Sequence, residues 1–161
     1  MTRTGSIWLV GVALASFACG SATAADQTIL GRSMVVKNPN PGDPSLRKVT
    51  GSASEKNSTN TLVGDPVVAG ALLTVIANGN DPTQQDFPLP QALSSLGRTF
   101  WDYSGSFGFK HTDSRGEQGP VKSVSIRSTP TGVFTMKVKL IGKNGVIDVV
   151  PPNPGTNGSS P

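Results

Sequence analysis

Cysteine is nearly missing from this chain. Its 161 residues hold one, Cys19, inside a segment that reads as an export signal. A chain cut after Ala24 keeps none, which excludes disulfides, thiolate metal sites and cysteine nucleophiles together. Histidine is as scarce: His111 stands alone, so a zinc site built on the usual nitrogen ligands is excluded. Apolar runs are short, and none approaches the ~20 residues a membrane-spanning helix needs. The 10 acids are too few and too spread along loops to single out a pair for two-carboxylate hydrolysis. The 14 lysines and arginines are dispersed, with Arg47-Lys48 the sole adjacent pair. Lys137 and Lys139 read as the solvated face of a strand. Nucleic-acid binding asks for a clustered basic stripe with stacking partners, and none is visible. A pI near 9.5 fits only a general attraction to anionic surfaces such as cell envelopes.

What is present begins with a targeting segment. Arg3 supplies the positive start, Ile7 to Ala18 the apolar run, and Ala22-Thr23-Ala24 the small-residue cleavage site. The mature chain is expected to begin at Ala25, leaving residues 1–24 as a signal peptide and a secreted or periplasmic protein. Cys19 opens a second reading, an acylated lipoprotein, which Ser16-Phe17-Ala18 fits poorly because an aliphatic residue is expected at Ser16.

The remaining chain, 25–150, reads as one β-domain. Val121 to Arg127 alternates in character, Thr129-Pro-Thr-Gly132 turns, and Val133 to Ile141 alternates again. Period-two spacing puts Phe134, Met136, Val138 and Leu140 on one face, opposite Thr135, Lys137 and Lys139. Asn144-Gly145 is a strong hairpin signal, because both residues tolerate positive φ. It predicts a further strand over Val146 to Val150. Upstream, Thr28 to Lys37 reads as a strand buried on much of both faces, and Arg47 to Ser54 as a polar strand suited to a sheet edge. Val67 to Ala77 reads as a central strand, Gln84 to Pro90 as a short extended piece, and Gln91 to Leu96 as the one place for a helical turn. Phe100 to Tyr103 and Phe107 to Thr112 add two more strands. About eight or nine short strands between Gly/Pro turns predict an all-β domain, a single antiparallel sandwich or Greek-key barrel. Residues 151–161, rich in Pro, Gly and Ser, read as a disordered tail or linker.

Three segments carry a resemblance: Gly108-Phe-Lys-His-Thr-Asp113, Gly119-Pro-Val-Lys-Ser-Val124, and Lys37 with Gly42-Asp-Pro-Ser-Leu-Arg-Lys48. Together the chain resembles a group of uncharacterised secreted bacterial β-rich proteins that share a Gly-aromatic-Lys-aromatic-x-Asp…Gly-Pro-x-Lys-x-Val pattern. The likeness covers roughly Ile29 to Pro154, and His111 departs from it by replacing an aromatic residue. Members of the group run on past a Pro-Pro-Asn-Pro-Gly-Thr segment, so the resemblance implies a member shortened at its C-terminus. It brings a class and a compartment, and neither an activity nor catalytic residues.

The binding candidates are aromatic. Trp101, Tyr103, Phe107, Phe109 and His111 all carry odd numbers, so one continuous strand would set them on a single face, with Lys110 opposite. A row of rings can stack on sugars, and the same row can equally be a core-facing strand. For calcium, Asn78, Asn80, Asp81 and Asp86 offer oxygens around Gly79 without EF-hand spacing, and Asp113 with Glu117 is a second weak set. Such clusters are first of all turn formers, and no cofactor is expected. A Ser-His-Asp arrangement would have to use His111 with Asp102 or Asp113, but no serine sits in a nucleophile-elbow pattern. His111 is expected to face solvent from a sheet. The sequence therefore favours a secreted, non-catalytic binding or structural module of the cell exterior, with a glycan or envelope protein as ligand. The alternatives are an assembly component using an exposed sheet edge, and a secreted hydrolase.

Overall fold

A computed structural model describes residues 27–77 and 83–149. The expected signal segment, Cys19, Asn78, Asn80, Asp81 and the C-terminal tail lie outside them. The domain is all-β and antiparallel. Eight strands and one helical turn follow in chain order: β1 Gly31–Lys37, β2 Lys48–Glu55, α1 Pro66–Ala69, β3 Ala71–Ala77, β4 Thr83–Leu89, β5 Trp101–Tyr103, β6 Gly108–Thr112, β7 Val121–Ser128 and β8 Phe134–Ile141. Six of them form one open sheet in the order β1-β2-β8-β7-β6-β5, while β3 and β4 pair as a separate hairpin. The hairpin lies against the large sheet as a second layer, which makes a sandwich and no closed barrel. Leu73, Val75, Phe87 and Leu89 from the hairpin share one buried cluster with Val49, Trp101, Val121, Val124 and Leu140 from the sheet.

The β7–β8 hairpin forms where alternation and turn chemistry place it. Gly132 takes φ +74°, a conformation that glycine adopts without the strain a Cβ brings. Its N–H bonds Thr129 O at 2.9 Å, and Thr129 N–H bonds Val133 O at 3.0 Å. Val121 and Val124 are three apart yet both buried. A register shift between Val121 and Ser123 absorbs the odd residue and keeps both on the inner face.

Five expectations need correcting. The apolar strand β1 is the exposed edge of the sheet, with Met34 56% accessible. The polar strand β2 lies inside, bonded to β1 and β8. Position within a sheet follows backbone pairing, whereas side-chain character reports only whether a face is covered. In β2, Val49, Gly51 and Ala53 alternate with Lys48, Thr50, Ser52 and Ser54, and a Cβ at Gly51 would come within 2.9 Å of Val138 Cγ2. The span from Val67 to Ala77 is not one central strand. Asp65 accepts the Val67 N–H at 2.8 Å and starts α1, and Gly70 at φ +71° ends it before β3. A Cβ at Gly70 would lie 2.8 Å from Leu89 O, so helical turn and β4 approach through that glycine.

The remaining two corrections concern turns. Gln91 to Leu96 is not helical: Leu93 bridges to Thr99, and Gly97 N–H bonds Ser94 O. Past β8, Gly142–Asn144 forms a 3-10 turn and not a two-residue hairpin. The chain then leaves the sheet in extended form without joining a ladder. Ile147 and Val149 are buried, Val146 and Asp148 exposed. Gln85 from β4 substitutes for a neighbouring strand: its Nε2 donates to Val146 O, and its Oε1 accepts from Asp148 N–H at 2.8 Å.

Candidate functional site

The motif residues behind the resemblance hold the architecture together. Asp113, buried on entry to the β6–β7 loop, accepts three backbone N–H groups: Gly116 at 2.7 Å, Glu117 at 3.0 Å and Gln118 at 2.7 Å. Asp43 holds Ser45 through both its N–H and its hydroxyl, which starts the 3-10 turn Pro44–Leu46. Arg47 donates to Ile147 O at 2.7 Å and ties that turn to the extended C-terminal segment. At Gly108 a Cβ would sit 2.5 Å from Ile126 O, so β6 can approach β7 there only with glycine.

Four of the five odd-numbered rings share a face, although two strands build it. Trp101 pairs with His111 and Tyr103 with Phe109 across the β5–β6 hairpin, and Phe107 sits in the connecting 3-10 turn. Lys110 is opposite, paired with Asp102. The row then divides. Trp101 is 2% and His111 0% accessible, whereas Tyr103 is 62% and Phe107 48% exposed, with Phe109 half-buried.

The buried part is a structural knot. Trp101 Nε1–H donates to Leu89 O at 2.9 Å, fastening sheet to hairpin. The expectation of a solvent-facing His111 is overturned. Its ring stacks on Phe100 at 6.0 Å and meets Trp101 edge-on at 5.2 Å. Gln118 Nε2 donates to Pro90 O, which turns Gln118 Oε1 toward His111 as acceptor. His111 Nε2 must then carry the proton, and its buried Nδ1 has no partner among the described residues. Burial lowers the pKa of His111, against the opposing pull of Gln118 and Asp113. Among the described residues the ring bonds neither a serine nor a carboxylate, and no triad is assembled around it there.

The exposed part borders a cleft of about 470 Å³. Its floor is the inner face of β6–β8, with Phe109, Ile126, Phe134 and Met136. Its wall is the segment Asn60 to Pro66 together with the start of β3. Among the described residues Asp65 is the one charged residue in the lining. Tyr103 Oη–H donates to Asp65 Oδ2 at 2.7 Å and tethers the wall to β5. That hydrogen bond, with the carboxylate's charge, raises the Tyr103 pKa. Tyr103 packs on Phe109 at 5.8 Å, and a shallow hollow lined by Tyr103, Phe107 and Phe109 shares Asn60, Thr61 and Leu62 with the main cleft. Sequence reasoning missed this wall. Its only local signal was Asp65-Pro66 as a helix start, which says nothing of the strands it would cover.

Of the first calcium set only Asp86 is among the described residues; Asn78, Asn80 and Asp81 lie outside them. Asp86 lies on the exposed side of the β3–β4 hairpin, accepting from Thr74 Oγ1 at 2.8 Å and Gln84 Nε2 at 3.2 Å. Glu117 is engaged with Ser95 through its N–H and hydroxyl. Among the described residues no three His, Cys, Asp or Glu side chains converge, and no helix is long and apolar enough to cross a membrane. No family model, curated protein or solved structure matches the chain.

Proposed function

We propose that this protein is an exported, non-catalytic binding module of the cell exterior that takes its ligand in the cleft beneath the segment Asn60 to Pro66. The observation that carries this reading is an apolar cleft opening beside the exposed rings of Tyr103 and Phe107. Ligand sites are concave, mostly apolar and furnished with a few polar groups that orient the guest. Asp65, Asn60 and the Tyr103 hydroxyl supply such groups. A glycan stacking on the rings, or an apolar side chain of an envelope protein, suits this mouth. Trp101 lines the cleft floor, so its fluorescence reports occupancy. Titration across glycan and apolar-peptide panels should change that emission saturably. Phe107→Ala and Tyr103→Ala should weaken the response at least about tenfold, the loss of one well-placed aromatic anchor. A ligand that raises the melting midpoint equally in both variants binds elsewhere and overturns the proposal.

A second reading, assembly by strand addition, is favoured by the two sheet edges. The short β5 edge is closed by Gln91, whose Oε1 accepts from Trp101 N–H and whose Nε2 donates to Trp101 O. The seven-residue β1 edge has no such cover among the described residues. Unpaired edges recruit strands. Sedimentation that stays monomeric up to high concentration refutes it.

A further inference from the structure

The cations dispersed along the sequence are collected by strand register onto one surface. Lys37 pairs with Lys48, Thr50 with Lys139, Ser52 with Lys137, and Arg127 with Thr135. Lys137 also pairs with Ser125, and Ser125 with Lys110. Paired residues of an antiparallel ladder share a face. Lys37, Lys48, Lys110, Arg127, Lys137 and Lys139 therefore all stand on the outer face of the six-stranded sheet, opposite the core, and all are exposed. Of the eight acids among the described residues, one, Asp102, is on that face by register, at its far edge and bonded to Thr99. Glu55 pairs with Phe134 on the inner face, and Asp65 and Asp86 belong to the opposite layer.

The cations form a diagonal band, with neighbours from about 5 Å apart, at the directly paired Lys37 and Lys48, to about 10 Å. These spacings are within about one screening length at physiological salt, so their potentials add. We propose that this outer sheet face binds a polyanionic polysaccharide, a glycan chain carrying carboxylate or sulfate groups. Binding here is separate from the cleft and does not depend on it.

The rest of the face selects this class. The positions between the cations are hydroxylic, with Ser33, Thr50, Ser52, Ser123, Ser125 and Thr135. Hydroxyls both donate to and accept from sugar hydroxyls, and the lysines and arginine pair with the anionic substituents. Among the described residues no aromatic ring is on this face by register: Trp101, Tyr103, Phe109 and Phe134 are on the inner side, and Phe100 is buried. Single-stranded nucleic acid needs such rings for base stacking, and a duplex is read by an element that enters a groove, which a flat sheet face cannot do. Firm attachment to lipid needs apolar groups to insert, and among the described residues Val35 and Ile141 are the only large ones on this face by register.

The test measures binding of the purified protein to dextran sulfate, polygalacturonate, uncharged dextran, oligo(dT) and phosphatidylglycerol vesicles. The two charged polysaccharides should bind, dextran should not, and affinity should fall at least about tenfold between 50 and 200 mM salt. The variant carrying Lys48→Gln, Lys137→Gln and Lys139→Gln should lose about tenfold or more. A control carrying Lys56→Gln, Arg98→Gln and Lys143→Gln removes the same charge from exposed positions outside the paired strands and should stay within about twofold. Matching melting curves show that both variants are folded. Equal losses in the two variants overturn the proposal, since net charge alone then explains binding. Equal affinity for dextran, or tighter binding to oligo(dT) or vesicles than to either charged polysaccharide, overturns it as well.

Discussion

Two residue pairs on the same hairpin, facing the same way, meet opposite fates. Trp101–His111 and Tyr103–Phe109 are successive inward pairs of β5 and β6. The first is buried beneath the β3–β4 hairpin, with only Trp101 reaching the cleft floor, and the second is open, Phe109 to the cleft and Tyr103 to the hollow beside it. Alternation assigns both pairs to one face with equal force. What separates them is the reach of the second layer, which ends between them. A face chosen by periodicity is therefore a candidate for burial, and cover from elsewhere in the chain decides whether it becomes core or binding surface.

The largest effect that sharpens this contrast is truncation of the rings. Trp101→Ala should cost about 3–5 kcal/mol, through lost packing and its bond to Leu89 O. Tyr103→Ala should cost below about 1 kcal/mol, as an exposed side chain does. Urea unfolding measures both, and similar losses would break the comparison. Next comes Asp113→Ala, which strands three partly buried backbone donors and should cost about 2–4 kcal/mol in the same measurement.

The third effect is a pH dependence confined to the sealed pair. Burial lowers the folded-state pKa of His111, so the unfolded chain binds the proton more readily. Stability from the neutral ring is present above about pH 6.5, the unfolded value, and is lost as pH falls toward the lowered folded value. His111→Phe removes this titration, although it leaves Gln118 Oε1 without its donor. Melting midpoints from pH 7 to 5 should fall more for the native protein than for the variant, and parallel curves would refute the buried neutral ring.

The smallest effect lies on the open side. Asp65→Ala removes the N-cap of α1 and the tether to Tyr103, at about 1 kcal/mol. Its signature is faster hydrogen exchange in the segment around Asn60 to Pro66, with the β7–β8 amides unchanged. Uniform acceleration would mean that the wall is not a separate unit.

Much of the fold was legible because its signals are local. Alternation in Phe134 to Leu140, the turn at Thr129 to Gly132 and the breaks at proline and glycine depend on neighbours in sequence. The misjudged elements are those for which a distant partner decides. β1 reads as core and is an edge because nothing described covers Met34. β2 reads as an edge and is interior because β8 and β1 claim its two sides. The Asn144-Gly145 signal is genuine turn chemistry, yet the strand it promised is held by Gln85 across the sandwich. Of the candidate site, the odd-numbered rings were visible, while the wall that turns half of them into a cleft was not.

By itself, then, the sequence determined strand character, the face on which each side chain stands and the turns within β7–β8, since a two-residue period is a property of the extended backbone. Only the tertiary structure decided which faces are covered, that His111 is interior, and that six scattered cations share one surface. Cover and register are set by pairings between strands far apart in the chain, and no local pattern encodes those.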